Sequence, residues 1–335
     1  MLAVLGAGAG CAQKGAGPVE KEVVPASENA AMRFWEAHYQ LSSRQLYFRH
    51  FDYEFDEITQ EEWYTYLEKA QDAIRYLIEA TKVPRCDFGV PEEWTLDEQR
   101  WHLPAAREMV IFLWEDAERL SGLNQFSAVE QRLSSVVRLS AHLAHNAGTP
   151  IESLASLSFL SRAAQECAKQ AEDFSAEDRA NIAAAIDRFD ATDPFNFART
   201  LRASGDLSHR WWLKLRNSEE FGPPDLEDIK RKFGYDLEDR LLELQSYEAQ
   251  VDELDWEFEA QRQFWHQVSA AFVQPDAEQQ LARIAEDAEN MKYGIIASTW
   301  NAMFYWSTNQ WGVQHLDGLR AWATGETETL ELPAD

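Results

Sequence analysis

Two histidines, His142 and His145, stand three apart in a segment of helical pattern and are the clearest candidates for chemistry in this chain. At that spacing both imidazoles lie on one side of a helix, close enough to share a metal ion, with Glu152 beyond the next turn as a third ligand. The same pair also suits a helix end just before Gly148, where a partial positive charge complements the dipole. A second chemistry would use carboxylates beside an aromatic face: Glu108, Glu115 and Asp116 next to Trp114. Glycan cleavage needs two such groups across a groove, roughly 5–9 Å apart. Asp206 is the lone acidic residue three before a histidine, His209, and di-iron bundles require two such pairs. No His-Glu-x-x-His, Gly-x-Ser-x-Gly, phosphate-loop or Cys-x-x-Cys pattern occurs. Hydrolase, kinase and redox readings therefore have no specific residues to stand on, and no cofactor is expected.

Aromatic rings are the other concentration, with 13 Trp in 335 residues. The densest run holds Trp300, Phe304, Tyr305, Trp306, Trp311 and Trp322, joined earlier by Trp211, Trp212 and Trp265. Flat rings stack on sugars, hold apolar ligands and are enriched where partners dock. Trp300, Phe304, Trp306 and Trp311 are accordingly the candidate ligand-binding residues. Trp300, Phe304 and Trp311 are also four and then seven apart, the spacing of a core stripe. Solvent exposure separates the two readings.

The stretch from Met1 to Pro18 admits two readings as well. Gly6 and Gly8 after Leu2-Ala3-Val4-Leu5 suggest a strand entering a dinucleotide-binding loop. That motif needs a third fixed glycine where Cys11 stands, and a helix at once, which Gly15, Gly17 and Pro18 interrupt. No later segment alternates β-branched strands with helices, so the nucleotide reading fails its context. The alternative is a secretory leader, with an apolar centre and small residues before a cleavage point. Gly8-Ala9-Gly10-Cys11 resembles the lipobox of bacterial lipoproteins, with Gly8 where that pattern usually carries Leu. The resemblance covers only about ten positions and implies that Cys11 is the lipid-modified first residue of the mature chain. The basic start of such a leader is missing, as a start codon assigned too far downstream would explain. The implied location is the bacterial cell envelope, periplasmic or surface, with a lipid anchor. Retention of Met1 would instead make the chain cytoplasmic.

Composition narrows the partners. The 58 acidic against 31 basic side chains give a net charge of −27. Nucleic acid is excluded by this balance, because its binding needs clustered cations that release counterions from phosphate. Direct contact with an anionic lipid surface is disfavoured too, leaving the membrane reachable only through a lipid anchor. No later apolar run approaches the roughly 18 residues of a membrane span, so the body is expected to be soluble. With Cys11 lipidated, Cys86 and Cys167 remain as an even pair, open either to one disulfide or to burial of Cys167 as a thiol among Leu157, Leu160 and Ala164.

The elements that must position these residues read as helices nearly throughout. Thr59 to Glu62, Thr95 to Glu98, Ser127 to Glu130 and Thr149 to Glu152 fit the capping box, and Ser175 to Asp178 and Asp193-Pro194 look like two more helix starts. After Thr59 the apolar positions Trp63, Leu67, Ala70, Ile74 and Leu77 follow helical spacing. From Leu237 to Trp265 the pattern predicts one helix of about 35 residues. A second long pattern from Leu281 to Met303 is expected to return antiparallel to it. Short turns at Gly122-Leu123-Asn124 and Ala147-Gly148 predict earlier hairpins. The fold class is therefore all-α, a helical bundle of antiparallel hairpins with a long C-terminal helical hairpin. Residues 1–25 read as leader and linker, 26–220 as the bundle, and 221–335 as the long hairpin with an acidic tail, divided at Phe221-Gly222-Pro223-Pro224. Function is expected to be non-enzymatic binding or scaffolding in the envelope, with a protein or glycan partner. The alternatives are a glycan- or peptide-acting enzyme with an aromatic cleft, and a small-ligand or metal binder.

Overall fold

A computed structural model describes residues 24–42, 59–88, 101–219, 221–233, 235–244, 246–290, 292–298 and 301–333. The lipobox-like stretch with Cys11, the expected cap at Thr95 and the side chain of Trp300 lie outside the described residues. The described chain is all-α: apart from a single-residue bridge between Asn29 and Arg85, its regular structure is helical.

Helix α1 (Ala30–Ser42) packs on α3 (Gln71–Lys82), which follows α2 (Gln60–Lys69). The apolar positions after Thr59 are buried as their spacing predicts, but the helix breaks at Ala70, whose φ of −89° and ψ of 0° turn the chain. Next come α4 (His102–Gly122), α5 (Phe126–Asn146) and α6 (Pro150–Lys169), joined by the two expected short turns. Asn124 takes a left-handed φ of 57° in the first, a conformation asparagine tolerates better than most residues. Helices α7 (Ala176–Ile186) and α8 (Phe197–Arg216) close this part of the bundle.

The capping boxes at Thr59, Thr149 and Ser175 form as read from the sequence, the second with Pro150 in the first turn. Ser127 does not cap, because α5 starts two residues earlier, behind Gln125, and Glu130 turns inward toward Asn181. Asp193 acts a step ahead of its helix: its carboxylate accepts from the backbone N–H of Phe197 and Ala198 at 2.9 and 2.8 Å.

The expected single helix from Leu237 to Trp265 is two. Helix α9 (Pro223–Phe233) leads into α10 (Tyr235–Leu242), and α11 (Tyr247–Phe272) begins anew behind Ser246, whose hydroxyl accepts from the Ala249 N–H at 3.1 Å. The chain then turns back at Pro275 through α12 (Ala277–Glu289), α13 (Gly294–Ser298) and α14 (Ala302–Thr324). The returning pattern is thus three helices rather than one rod. Helix α11 packs most broadly against α8, while α14 lies across α6, α7 and α12. Gly205 makes the first of these pairings possible, since a Cβ there would sit 2.9 Å from the Trp265 Cβ.

One large core runs from Phe34 through Phe112, Leu139 and Leu160 to Trp265 and Trp322. A second gathers Trp211, Trp212, Leu226, Ile229, Leu237, Leu254 and Phe258 where α8 to α11 meet, so apolar packing continues across position 221. Among the described residues no helix is long and apolar enough to cross a membrane.

Candidate functional site

The residues that promised chemistry are mostly committed to holding helices together. His142 is buried beneath Phe34, its Nε2 3.2 Å from the Thr81 carbonyl oxygen and 3.3 Å from the Arg188 guanidinium. Arg188 donates to the carbonyls of Thr81 and Lys82 at 2.7 and 2.8 Å, capping the end of α3. Burial, and then the charge of Arg188, push the His142 pKa down to about 4, so the ring is neutral near pH 7. His145 is exposed on the neighbouring turn.

The expected third ligand is taken elsewhere. Glu152 Oε2 accepts from Gly148 N, Thr149 N and Thr149 Oγ1 at 2.6, 2.7 and 3.0 Å, and its Oε1 lies 2.6 Å from His102 Nε2. Burial would raise this carboxyl, but the bond to His102 and those from the helix start outweigh it and hold the pKa below the usual range. The structure therefore does not assemble a metal site at His142 and His145. Among the described residues no group of three or more His, Cys, Asp or Glu side chains is arranged to hold a metal ion.

The carboxylates around Trp114 likewise do not face one another across a groove. Glu108 pairs with His38 on α1. Asp116 is fully buried and accepts from Gln71 and Arg119 on Oδ1 and from Arg132 on Oδ2, each at 2.9 Å. Arg132 in turn donates to Gln71 Oε1 at 2.9 Å, which closes a ring linking α3, α4 and α5. Burial, and then neighbouring Glu118, raise the Glu115 carboxyl. Trp114 carries the Arg162 guanidinium 3.7 Å above its ring. The cysteines are both free, so the disulfide between Cys86 and Cys167 is not formed, and desolvation pushes both thiols up, away from the reactive thiolate.

The aromatic run divides. Phe304 is 53% exposed on one side of α14. Trp311 covers the buried ring of His315, the centroids 4.1 Å apart. Trp306 stands edge-on to Phe272 at 5.3 Å and lines a cleft of about 250 Å³. One face of α14 forms its floor, with Trp306, Asn309, Gln310, Val313, Asp317 and Arg320 recurring at three- and four-residue spacing. The end of α11, Phe272 to Gln274, makes one wall. The loop between α7 and α8, Asp190 to Thr192 with Pro194, makes the other.

This cleft is built by local structure on all sides. Asn301 starts α14 by accepting from the Phe304 N–H at 3.0 Å, and Gly325 ends it at a left-handed φ of 79°. Asp190 fixes its own loop by accepting from Thr192 N and Asp193 N at 2.7 and 3.0 Å, bonds that hold its carboxyl below the usual range. Asp317 and Arg320 pair at 3.3 Å. Asn309 is 4% exposed, and among the described residues its Oδ1 meets no donor.

Of the candidate binding residues that the structure describes, the cleft takes only Trp306. Asn309, Gln310, Arg320 and the loop at Asp190 went unread, although a polar facet at helical spacing along an otherwise apolar segment was visible in the sequence. No family model, no curated protein and no solved structure matches the chain.

Proposed function

We propose that the protein is a non-catalytic helical binding module of the bacterial cell envelope, held to a membrane through lipid on Cys11, with the α14 cleft as its binding site. One observation carries the binding role: α14, the end of α11 and the loop at Asp190 preform a cleft of about 250 Å³ that joins the Trp306 ring to Gln310, Thr192 and Arg320. The imidazoles and carboxylates that would serve catalysis are instead engaged with helix ends and buried arginines. Small preformed concavities with an apolar wall and a few convergent polar groups are the usual form of ligand sites. The envelope setting is supported by the resemblance of Gly8 to Cys11 to a lipobox and by a net charge of −27, which a salty milieu screens.

Two measurements test the two halves of this reading. Expression from the native gene with its upstream DNA, followed by intact-mass analysis, should return a diacylglyceryl group on Cys11. An unmodified chain that keeps Met1 would overturn the envelope assignment. Native mass spectrometry with small envelope glycans and peptides should give adducts that persist unchanged in mass. A ligand converted to product would instead make the protein an enzyme.

A further inference from the structure

We infer that the end of the bundle where α1, α4 and α6 begin docks on a zwitterionic membrane surface through Met32, Trp101 and Ile151, an inference that rests on the Cys11 anchor proposed above. The three helix starts lie together. His102, the first residue of α4, meets Glu152 in the first turn of α6 at 2.6 Å. Its ring stacks on Phe88 with centroids 5.0 Å apart, and Phe88 stacks in turn on Phe34 of α1 at 6.2 Å. At this shared end Met32 is 53% exposed, and Trp101 and Ile151 are 66% exposed each. Apolar residues scattered singly over a surface need no explanation, but three at one end of a bundle form a contact surface.

The path of the chain, the local charge and the residue types select lipid as the occupant. The chain enters the fold at this end: the Ala30 N–H donates to the Arg85 carbonyl at 2.8 Å, and the Asn29 side chain exchanges bonds with the Asp87 backbone at 2.9 and 2.8 Å. A lipid on Cys11 is therefore tethered here. Seating the opposite end on the bilayer would require the tether to run the length of α4, about 30 Å for its 21 residues. In a protein of net charge −27, the formal charges at this entry balance among the described residues, Arg33 and Arg85 against Glu28 and Asp87. The buried His102 and Glu152 pair presents no charge to solvent. Such an end escapes the repulsion that the rest of the surface meets at an anionic membrane, and it suits zwitterionic headgroups. Tryptophan settles at headgroup depth, with its ring in the apolar boundary and its N–H in water, while Met32 and Ile151 add apolar area.

The test couples the purified full chain through Cys11 to a maleimide-headgroup lipid in phosphatidylcholine vesicles whose acyl chains carry bromine, a quencher of tryptophan emission. Coupling supplies the anchor whether or not the cell does, so docking is read separately from lipidation, which the intact mass decides. The Cys11→Ser chain gives the uncoupled baseline. Quenching should appear on coupling, and Trp101→Phe should remove most of it. Trp256→Phe, 49% exposed on α11, should leave it unchanged. Met32→Glu and Ile151→Glu place a charge at exposed positions and should each cut the quenching about twofold or more, with the helical circular dichroism retained. A coupled chain that is not quenched, or quenching that survives Trp101→Phe and both Glu variants, would overturn the docking and leave the anchor standing. A dimer in solution that Ile151→Glu dissolves, with no quenching on vesicles, would assign this end to a second copy of the chain and overturn the inference equally.

Discussion

In the bundle of α3 to α6 several buried polar groups bind one another across helices, whereas the α14 cleft draws its polar groups from three separate segments. In the bundle, Asp116 receives three hydrogen bonds and Glu152 three more besides its contact with His102. Ser140 and Ser156 exchange bonds between α5 and α6, each donating to the other's carbonyl at 2.6 and 2.9 Å. Such networks fix which helix turn lies beside which, because a slipped helix would strand a buried charge. On α11 and α14 the buried amides of Gln261 and Asn309 each leave an oxygen without a donor among the described residues. Mutual pairing holds the scaffold, although Trp114 Nε1 and Glu130 Oε1 in the same bundle meet no partner among the described residues. Nothing in the structure explains the placement of Gln261, which is 1% exposed.

The comparison breaks most sharply at Asp116. Asp116→Ala leaves the guanidinia of Arg119 and Arg132 buried without their carboxylate and should cost about 3–5 kcal/mol in urea denaturation. A loss below about 1 kcal/mol would mean that the network does not hold α4 to α5.

Acid should unravel the bundle through His142. Its folded pKa, about 4, lies below the ordinary 6.5, so the unfolded chain binds the extra proton first. Stability should therefore fall as pH drops from 6.5 toward 4, by about 3 kcal/mol from this group, and level off below. Glu152, also held low, adds a loss as pH falls below the ordinary carboxylate value of 4.5. Denaturation of His142→Gln against pH should lose the leg between 6.5 and 4, and an unchanged slope would assign that leg to another group.

At the α8 and α11 crossing, Gly205→Ala drives a methyl against Trp265 and the Arg262 backbone, and should cost about 1–3 kcal/mol by thermal unfolding. The smallest effects have the opposite sign. Asn309→Leu and Gln261→Leu should each stabilise the protein by about 1 kcal/mol, since both remove an unbonded buried amide. A loss of stability in either variant would mean that the amide is bonded to a buried water in the folded protein.

The helical class and three helix starts were legible in the sequence. Thr59, Thr149 and Ser175 act within three residues of themselves, and their carboxylate partners sit at a fixed offset, so no tertiary information is needed to see them. Helix breaks were harder. Leu244 and Val251 flank a gap in the heptad pattern where Ser246 restarts the helix, a signal that the apolar spacing masked. The break at Ala70 has no marker, since alanine is the best helix former and only packing turns the chain there. The histidine pair misled because residues three apart share a helix face whatever that face meets, and here it met Thr81 and Arg188.

By itself the sequence determined what is local: an all-α chain, the caps that start its helices, the turns at Asn124 and Gly148, and the apolar positions that become core. Periodicity and capping depend on neighbours within about one helical turn, so they can be read along the chain. Only the tertiary structure decided which polar groups meet. Glu152 finds His102 fifty positions away, Asp116 joins Gln71 to Arg132, and the cleft draws on residues 190–194, 272–274 and 306–320. Those pairings depend on how three-dimensional packing brings helix ends together, and no spacing along one segment encodes the surface of another.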